Sequence, residues 1–435
     1  KPKGLWLDIV GVRPCYCQTC MNEAKTMGLD VNNPSEMIRL WEKTYRQYQK
    51  NVQTLVERIS ESTEIVHNSG HFLRGREDLW SANTHYELES LPTGGWHYDH
   101  FPMSARYIQP FGGDFLGITG KFHTSWGEFG GFKHYNALRY EMAVNLMNGA
   151  KCSIGDQLHP NGRMDLATYK LMGKAYEEVL KKEPWCDQVS SMADIGIFSA
   201  EVIEGTPLLE AFNNPSDAGA VRILLEEHYL FDLIDQYSDF TKYTLIILPD
   251  SIRLDSKLTA KMEDYLSKGG KILASGESGL ALYDDVFKLD LNVRYIEKNP
   301  FIPAYINPDF DLKSINRSSY VFYEDSLIVN NSNGQILATF EKPYDNRKLD
   351  AFCSHQHFPN KYEALSPGIV ADSNKGYVAW KAFKEYASYG SYIHREIIAH
   401  LIDYLLGSEK TLSTSLASEG KVSLMHQKTK KRVVL

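Results

Sequence analysis

Acidic and imidazole side chains recur at the ends of five short apolar segments in the first 187 residues. Six of them are placed where they could meet at one site: Asp8, His67, Glu87, Glu89, His123 and Asp156. Two carboxyl groups in one cavity, with one ionised as a nucleophile and the other protonated as an acid, are the usual means of cleaving a glycosidic bond. The pattern therefore indicates hydrolytic chemistry.

The strongest of these signals is the segment HYELESLP (85–92). Period-two alternation predicts that His85, Glu87 and Glu89 share one face of a strand. Three ionisable groups in line are tolerable only beside a wet cavity, because an unpaired buried charge costs several kcal/mol. The same argument applies to Asp8, which ends the apolar segment GLWLDIV (4–10). The structural alternatives are a salt bridge for Asp8 and a solvent-facing edge strand for 85–92.

A glycine-rich loop follows the segment FLGITGKFH (115–123). Alternation places Thr119, Lys121 and His123 on one face of that segment, and the loop then brings Trp126 and Glu128. Tryptophan and carboxylate side chains at a strand end suit a sugar pocket. We therefore predict that Lys121, His123, Trp126, Glu128 and Asp156 contact a substrate, together with His67 and Glu87.

Three cysteines form the pattern C-x-C-x-x-C directly after the first segment. Cys15, Cys17 and Cys20 could supply three thiolates to a tetrahedral Zn²⁺ with a fourth ligand from elsewhere. The alternative is a set of reduced, unliganded thiols, and a disulfide is the least favoured outcome. The other cysteines are scattered and are predicted to be buried apolar residues. No cofactor is expected for catalysis, and zinc is expected to be structural.

The elements that must position these residues alternate between strand and helix. Strands are predicted at 4–10, 64–71, 85–92, 115–123 and 151–160, helices at about 34–60, 136–149 and 165–182, and a linker at 183–187. Such alternation implies a parallel sheet, and functional groups at strand ends are typical of a (β/α)₈ barrel. A whole barrel needs roughly 250 residues. We therefore expect residues 1–187 to be strands four to eight of a barrel whose first three units lie upstream, and we expect this chain to be inactive in isolation.

A second α/β pattern occupies residues 190–410. Strands are predicted at 193–199, 243–250, 271–276 and 376–383, and helices at 217–228, 256–268 and 392–407. This is an open doubly wound layout of flavodoxin-like or amidotransferase-like type. The segment ILASGES (272–278) lacks the cysteine nucleophile of an amidotransferase, so this domain is predicted to be non-catalytic. Residues 421–435 predict a β-hairpin, and residues 411–435 are interpreted as the start of a C-terminal β domain.

The charge and the amino-acid composition of the chain narrow the classes of molecule that it is expected to bind. The chain has 435 residues, 43% hydrophobic and 23% charged, with a net charge of −8. Without a basic cluster it is not expected to bind nucleic acid or an anionic membrane, and a small uncharged partner is expected instead. No segment approaches the ~18 apolar residues of a transmembrane helix. The compartment is left open by the sequence, with the cytoplasm favoured.

Three motifs carry a family resemblance: HYELESLPTGGWHYDHFP, ITGKFHTSWGEFGGFK and CSIGDQLHPNG. In these motifs the chain closely resembles the hypothetical glycosyl hydrolase 6 group, which includes the α-L-fucosidases of glycoside hydrolase family 151. The resemblance implies a catalytic barrel, a β-galactosidase trimerisation-like domain and a C-terminal β domain. It also implies a carbohydrate substrate and a homo-oligomer, with a trimer expected. The run PCYCQTC is similar to the zinc-binding cysteines of family 42 β-galactosidases, in which a fourth cysteine comes from upstream.

The resemblance also suggests roles for the carboxylates. LWLDIV is similar to the nucleophile strand of family 29 α-L-fucosidases, and Asp8 matches its aspartate. Glu89, the nearest to its strand end, is our choice for the acid/base, with Glu87 and Glu128 as alternatives. The leading hypothesis is a retaining α-L-fucosidase. The alternatives are a β-galactosidase-like glycosidase, although Leu7-Asp8 stands where that family has Asn-Glu, and a non-catalytic carbohydrate-binding protein.

Overall fold

A computed structural model describes residues 2–204, 214–350 and 352–435. The contacts divide these residues into two compact units. The first unit contains residues 2–192 together with Ser423–Leu435, and the second contains Ala193–Ile203 and Asn214–Val422. None of the helices in the described ranges combines the length and the apolar character that crossing a bilayer requires.

In the first unit, strands and helices alternate as predicted. Four of the five predicted strands begin at the predicted residue and the third begins one residue later, but all end earlier than predicted. The elements are β1 Gly4–Leu7, α1 Gln18–Thr26, α2 Pro34–Ile59, β2 Glu64–His67, β3 Tyr86–Glu89, α3 His100–Ile108, β4 Phe115–Gly120, α4 Tyr135–Met147, β5 Lys151–Gly155, α5 Leu166–Cys186 and β6 Ser190–Ser191, with 3₁₀ turns at Glu77–Leu79, Pro92–Gly94 and Gln109–Phe111.

The first five strands run parallel and follow one another in chain order. β1 pairs with β2 with Trp6 opposite Val66, and β4 lies between β3 and β5. A parallel bridge between Ser69 and Leu88 connects the end of β2 to β3. Parallel neighbours place their carboxyl ends at the same edge. The polar residues that follow these strands therefore share one edge.

The helices are positioned by caps and apolar faces. Asn33 caps α2 by accepting the N–H of Ser35 at 3.1 Å, and Pro34 occupies the first turn. The predicted cap of α5 is also present, because Asp165 accepts the N–H of Ala167. The predicted linker 183–187 is wrong, since α5 continues to Cys186 with Pro184 inside its last turn. A proline there removes one helical hydrogen bond without ending the helix.

The second unit combines a large sheet with helices. Its elements are β7 Ile195–Phe198, α6 Glu201–Glu204, α7 Pro215–Glu226, β8 Phe231–Ile234, β9 Leu245–Leu248, α8 Ser256–Ser267, β10 Lys271–Ser275, β11 Val293–Lys298, β12 Ala304–Pro308, β13 Tyr320–Phe322, β14 Leu327–Asn331, β15 Gln335–Pro343, β16 Asn360–Ala371, β17 Lys375–Val378, α9 Ala382–Tyr389 and α10 Tyr392–Leu406, with 3₁₀ turns at Phe240–Lys242 and Gly407–Glu409.

Nine of these strands form one sheet in the order β13-β12-β15-β16-β17-β10-β9-β7-β8, and β11 forms a separate antiparallel pair with β14. The five strands from β17 to β8 are parallel, as the doubly wound prediction requires.

The antiparallel half of this sheet was not predicted from the sequence, nor was the parallel strand β8. The pairing of β15 with β16 changes register at four places, and β16 contains Pro367 and Gly368. Proline and glycine lower the strand signal, and bulges break the period-two alternation. The parallel strands lack such breaks; β9, for example, is buried at every residue.

The C-terminal hairpin is present, formed by β18 Met425–Gln427 and β19 Arg432–Val434 around a 3₁₀ turn at Lys428–Lys430. β18 also pairs with β6, which gives a small three-stranded sheet within the first unit. The assignment of residues 411–435 to a separate β domain stays a prediction.

Candidate active site

Two carboxylates are held together by one amide at the ends of three consecutive strands. Asp8 follows β1, Asn68 follows β2, and Glu89 is the last residue of β3. The Nδ2 atom of Asn68 lies 3.0 Å from Asp8 Oδ1 and 3.0 Å from Glu89 Oε1. An amide nitrogen carries two hydrogens, so it donates one to each carboxylate. The two acceptor oxygens can therefore be no farther apart than twice this distance.

The backbone after Asp8 is strained. Ile9 has φ of 52°, a region that β-branched residues rarely adopt, and its N–H donates to Asp8 Oδ1 at 2.8 Å. Such conformations persist where surrounding structure enforces them, and they cluster at active sites. The turn directs the Asp8 carboxylate towards Asn68 and leaves it exposed.

Glu89 lies in a more enclosed environment than Asp8. Burial raises the pKa of its carboxyl group, the hydrogen bond from Asn68 opposes this, and the negative charges of Asp8 and Glu87 raise it further. The ring of Trp96 packs over Gly70 beside it: a Cβ on Gly70 would lie 3.0 Å from Trp96 and 3.8 Å from the Cβ of Glu89. Glu89 therefore has the surroundings of a carboxylic acid that keeps its proton to higher pH.

Glu87 is engaged by two donors. Its Oε2 atom accepts the indole N–H of Trp6 at 2.7 Å, and its Oε1 atom lies 2.9 Å from Nε2 of His85. The predicted alignment of His85, Glu87 and Glu89 along one face is thus observed. Glu87 raises the pKa of His85, which favours the imidazolium form. With its oxygens occupied, Glu87 is less suited than Glu89 to protonate a leaving group.

His67 lies on the opposite face of the sheet from this group. It is opposite Leu7 in the ladder, and its ring contacts Tyr45 and Tyr48 of α2 edge-on, with centroids 6.5 and 5.7 Å away. Its Nδ1 atom is 3.0 Å from Oδ1 of Asn83, and burial lowers its pKa. The structure therefore does not bring His67 to the carboxylates; the neighbouring Asn68 takes that place.

The loop after β4 is organised by Glu128. Its Oε1 atom accepts the backbone N–H groups of Thr124, at 2.8 Å, and of His123, and these bonds lower the pKa of Glu128. A carboxylate bound in this way is a poor general acid. The side chain of His123 is exposed at the tip of the same loop.

Trp126 packs over the ends of two strands. A Cβ added to Gly120 or Gly155 would lie 3.2 or 3.3 Å from its ring. The absence of side chains there lets the indole pack closely against the carboxyl edge of β4 and β5. Its Nε1 atom is buried and has no hydrogen-bond partner within the described ranges.

Lys121 and Asp156 meet at the ends of β4 and β5. Lys121 Nζ lies 3.7 Å from Asp156 Oδ1 and 4.6 Å from the centroid of Phe132, and its side chain is buried. The predicted common face of Thr119, Lys121 and His123 is wrong for Thr119, which is buried against α4. Its hydroxyl donates to Glu141 at 2.5 Å and accepts from Lys133 at 2.8 Å. Within β4 the alternation holds, since Gly117 and Thr119 both face α4, but the strand ends at Gly120, so it does not extend to Lys121 and His123.

The cysteine cluster consists of Cys15, Cys17 and Cys20, whose Sγ atoms all lie within 4.8 Å of one another. Cys17 is the N-cap of α1 and Cys20 lies in its first turn, which explains their approach. The backbone N–H of Cys20 lowers the pKa of Cys17 to about 7. Zn–S bonds of ~2.3 Å bring two sulfurs on one ion to roughly 4 Å apart, so the observed spacing fits a zinc site with three protein sulfurs.

Two residues of this site were missed in the sequence. Asn68 was overlooked because an amide carries no charge, although it immediately follows His67; the register of β1 with β2 was the missing information. Trp96 stands in the motif TGGWHYD, but nothing in the local pattern indicates that it packs beside Glu89.

Comparison with solved structures shows a strong likeness to one enzyme. The α-L-fucosidase isoenzyme 2 from Paenibacillus thiaminolyticus has a TM-score of 0.95 and 45% sequence identity, covering 99% of this chain and 66% of that one. The chain therefore spans just under two thirds of the length of that relative, and over this span it is α-L-fucosidase-like in both sequence and structure.

More distant structures share the fold. The β-galactosidase from Bacillus circulans sp. alkalophilus has a TM-score of 0.66 at 13% identity, covering 89% of this chain and 59% of that one. The β-galactosidase from Rahnella sp. R3 has a TM-score of 0.63 at 13% identity, covering 88% and 60%. At this identity the likeness concerns the mixed α/β architecture alone. No protein-family model matches the chain, and no curated protein matches its sequence.

Proposed function

We propose that this chain carries the catalytic pair of a retaining α-L-fucosidase, with Asp8 as nucleophile and Glu89 as acid/base. The observation that carries the proposal is the hydrogen bonding of one Asn68 amide to both carboxylates, at 3.0 Å each. Retaining glycosidases place the two carboxyl groups ~5–5.5 Å apart, and inverting ones need ~6.5–9.5 Å to admit a water molecule. Two contacts of 3.0 Å to one nitrogen keep these two oxygens within about 6 Å of each other, which is shorter than the ~6.5 Å at which the inverting range begins.

Asp8 and Glu89 take different roles in the reaction because their surroundings differ. In the first step protonated Glu89 gives its proton to the leaving oxygen, while Asp8 attacks the anomeric carbon and the glycosidic C–O bond breaks. In the second step ionised Glu89 takes a proton from water, whose oxygen displaces Asp8 and releases fucose. The raised pKa of Glu89 keeps the acid form available for the first step.

The residues at the ends of β4 and β5 are proposed to bind the sugar. Trp126 offers an apolar face, while Lys121, His123 and Asp156 offer donors and acceptors for hydroxyl groups. Glu87 and Glu128 would act indirectly, since their oxygens are already engaged by Trp6, His85 and the backbone. His67 lies on the other face and is not included.

We further propose the finer architecture. The five parallel strands are interpreted as strands four to eight of a (β/α)₈ barrel over residues 1–187, which would make the strand ends converge. Residues 190–410 are proposed to be a β-galactosidase trimerisation-like domain, with 411–435 opening a β domain. The cysteine cluster is proposed to hold a structural Zn²⁺, and the assembly is proposed to be a homo-oligomer, with a trimer expected from the resemblance.

The test is hydrolysis of 4-nitrophenyl α-L-fucoside and 4-nitrophenyl β-D-galactoside by the full-length protein. We expect the fucoside to be preferred and α-fucose to appear first by NMR, as retention requires. Asp8→Asn should reduce the rate to near background. Glu89→Gln should lower kcat by about 10²–10⁴-fold, because the nitrophenyl group leaves without an acid whereas the second step still needs Glu89 as its base. Glu57→Gln neutralises an exposed carboxylate on α2 and serves as the matched control.

Several outcomes would contradict the proposal. Turnover unaffected by Asp8→Asn would remove Asp8 from the mechanism, and β-fucose as first product would exclude retention. Preference for the galactoside would favour the β-galactosidase alternative. Binding of fucose without turnover by the wild type would favour a carbohydrate-binding protein.

A further inference from the structure

We propose that Asn68 is a positioning residue that holds Asp8 and Glu89 at their working separation by donating one N–H to each. This inference rests on the proposed function, because it assigns Asn68 a role in the same reaction. It adds a third polar side chain to the catalytic group, from the strand that lies between those of the two carboxylates.

The position of Asn68 is fixed by its backbone. Its N–H donates to the carbonyl oxygen of Leu7 at 2.8 Å, which continues the parallel ladder of β1 and β2 by one residue. The next residue, Ser69, bridges to Leu88 of β3. Asn68 is therefore tied to both neighbouring strands, and the residue is only 9% exposed. An amide held in this way is a rigid spacer between the carboxylates.

The orientation of the amide follows from its partners. Asp8 is ionised as the nucleophile and only accepts hydrogen bonds, so the side chain must turn its nitrogen, not its oxygen, towards it. The second hydrogen of that nitrogen reaches an oxygen of Glu89 that accepts whether Glu89 is ionised or protonated. Both hydrogens of Nδ2 are then used. The oxygen atom Oδ1 is buried, and no donor within the described ranges reaches it. Among the described residues, the side chain of Asn68 thus makes no hydrogen bond other than those to Asp8 and Glu89.

Asn68 also affects the ionisation of Glu89. The groups that face Glu89 are Asp8 from β1 and Glu87 from its own strand, with His85 bonded to Glu87. Burial raises the pKa of Glu89 and both carboxylates add to this, whereas the Asn68 hydrogen bond lowers it. Removing the donor should move the alkaline limb of the pH profile upwards, because that limb reports loss of the proton from the acid.

The experiment compares Asn68→Ala and Asn68→Asp in the full-length protein with Asn51→Ala, an exposed asparagine on α2, as the matched control. For Asn68→Ala we expect kcat to fall by about 10²-fold, the cost of roughly 1 Å of misplacement, with KM changed much less and the alkaline limb shifted upwards. Asn68→Asp keeps the shape but replaces the donor with a third acceptor. It should lose at least as much kcat and shift the limb farther, which keeps the test valid if the alanine variant folds poorly.

The outcomes separate this inference from the proposed function. If the wild type does not hydrolyse the fucoside, or if Asp8→Asn is fully active, the proposed function itself fails. If Asp8 and Glu89 are required but folded Asn68→Ala and Asn68→Asp keep the wild-type kcat and alkaline limb, the positioning role is overturned alone. A loss of thermal stability with an unchanged pH profile would show that Asn68 is merely structural, which also overturns the inference.

Discussion

Replacing Lys133 with methionine should strongly destabilise the first unit. The Lys133 ammonium is fully buried and lies 2.6 Å from Glu141 Oε2 and 2.8 Å from Thr119 Oγ1, while the Glu141 side chain is 4% exposed. Methionine conserves most of the volume but leaves the Glu141 carboxylate buried without its cation. Breaking a buried pair from one side costs about 3–5 kcal/mol, and this is the expected loss of unfolding free energy.

The pH dependence of this loss has a defined sign. Burial already raises the pKa of Glu141, and the Lys133 charge is the largest effect opposing it. In the variant the pKa should rise further, so the folded state prefers a protonated Glu141. Stability gained from that protonation is fully present below the unfolded pKa of about 4.3 and is lost as pH rises through the raised folded value. The deficit should therefore be larger at pH 8 than at pH 5.

The assay is urea unfolding of the full-length protein, followed by tryptophan fluorescence at both pH values. The matched control is Lys133→Met combined with Glu141→Leu, which removes both charges and should recover most of the stability. A loss below about 1 kcal/mol for the single variant, or a double variant as unstable as the single one, would refute the reasoning. The backbone N–H of residue 133 donates to the carbonyl oxygen of Lys121 at 2.8 Å, so a backbone shift around the unpaired Glu141 would also move Lys121, and activity should fall with the single variant.

Four further outcomes are expected. The kcat/KM for aryl fucoside should decline as the pH rises through the pKa of Glu89, which burial raises above the ordinary ~4.3 of a glutamate. An alkaline limb of the pH profile that is unchanged in Glu89→Gln would contradict this assignment. Gly70→Ala puts a Cβ 3.0 Å from the Trp96 ring and should raise KM, so an unchanged KM would remove Trp96 from the pocket. Elemental analysis should find one zinc per chain in the wild type and less in Cys17→Ser; equal metal content in both would exclude the cysteine cluster as the zinc site. Asn33→Ala removes the cap of α2 and should lower the free energy of unfolding in urea by about 1 kcal/mol. An unchanged urea midpoint would contradict this prediction.

Much of the fold could be predicted from local patterns. Several of the parallel strands, such as β7 and β9, are apolar runs, and the strands alternate with helices that have recognisable caps, such as Asp165 before α5. The antiparallel strands of the second unit escaped because β15 and β16 pair through bulges and contain proline and glycine. Helix α5 was ended too early because a proline in a last turn looks like a helix terminator in the sequence.

The candidate site was only partly accessible from the sequence. Asp8 could be selected because a carboxylate at the end of an apolar strand needs either a charged partner or a functional role. Glu89 could be selected because it is the carboxylate nearest to the end of its strand. Which side chains face them depends on strand register, a long-range property that alternation within one segment does not provide. Thus His67 was expected at the site, whereas the register turns it towards the helices and presents Asn68 instead.

The roles of Asp8 and Glu89 are tested most directly by azide rescue of two cavity-forming variants. Glu89→Ala with a nitrophenyl fucoside can still form the fucosyl-enzyme on Asp8, so azide should attack that intermediate and yield α-L-fucosyl azide with retained configuration. Asp8→Gly leaves room for azide to attack the substrate itself, and it should yield the β-azide after a single inversion. The opposite pair of anomers, or no azide product from either variant of an active enzyme, would contradict the assignment of nucleophile and acid/base.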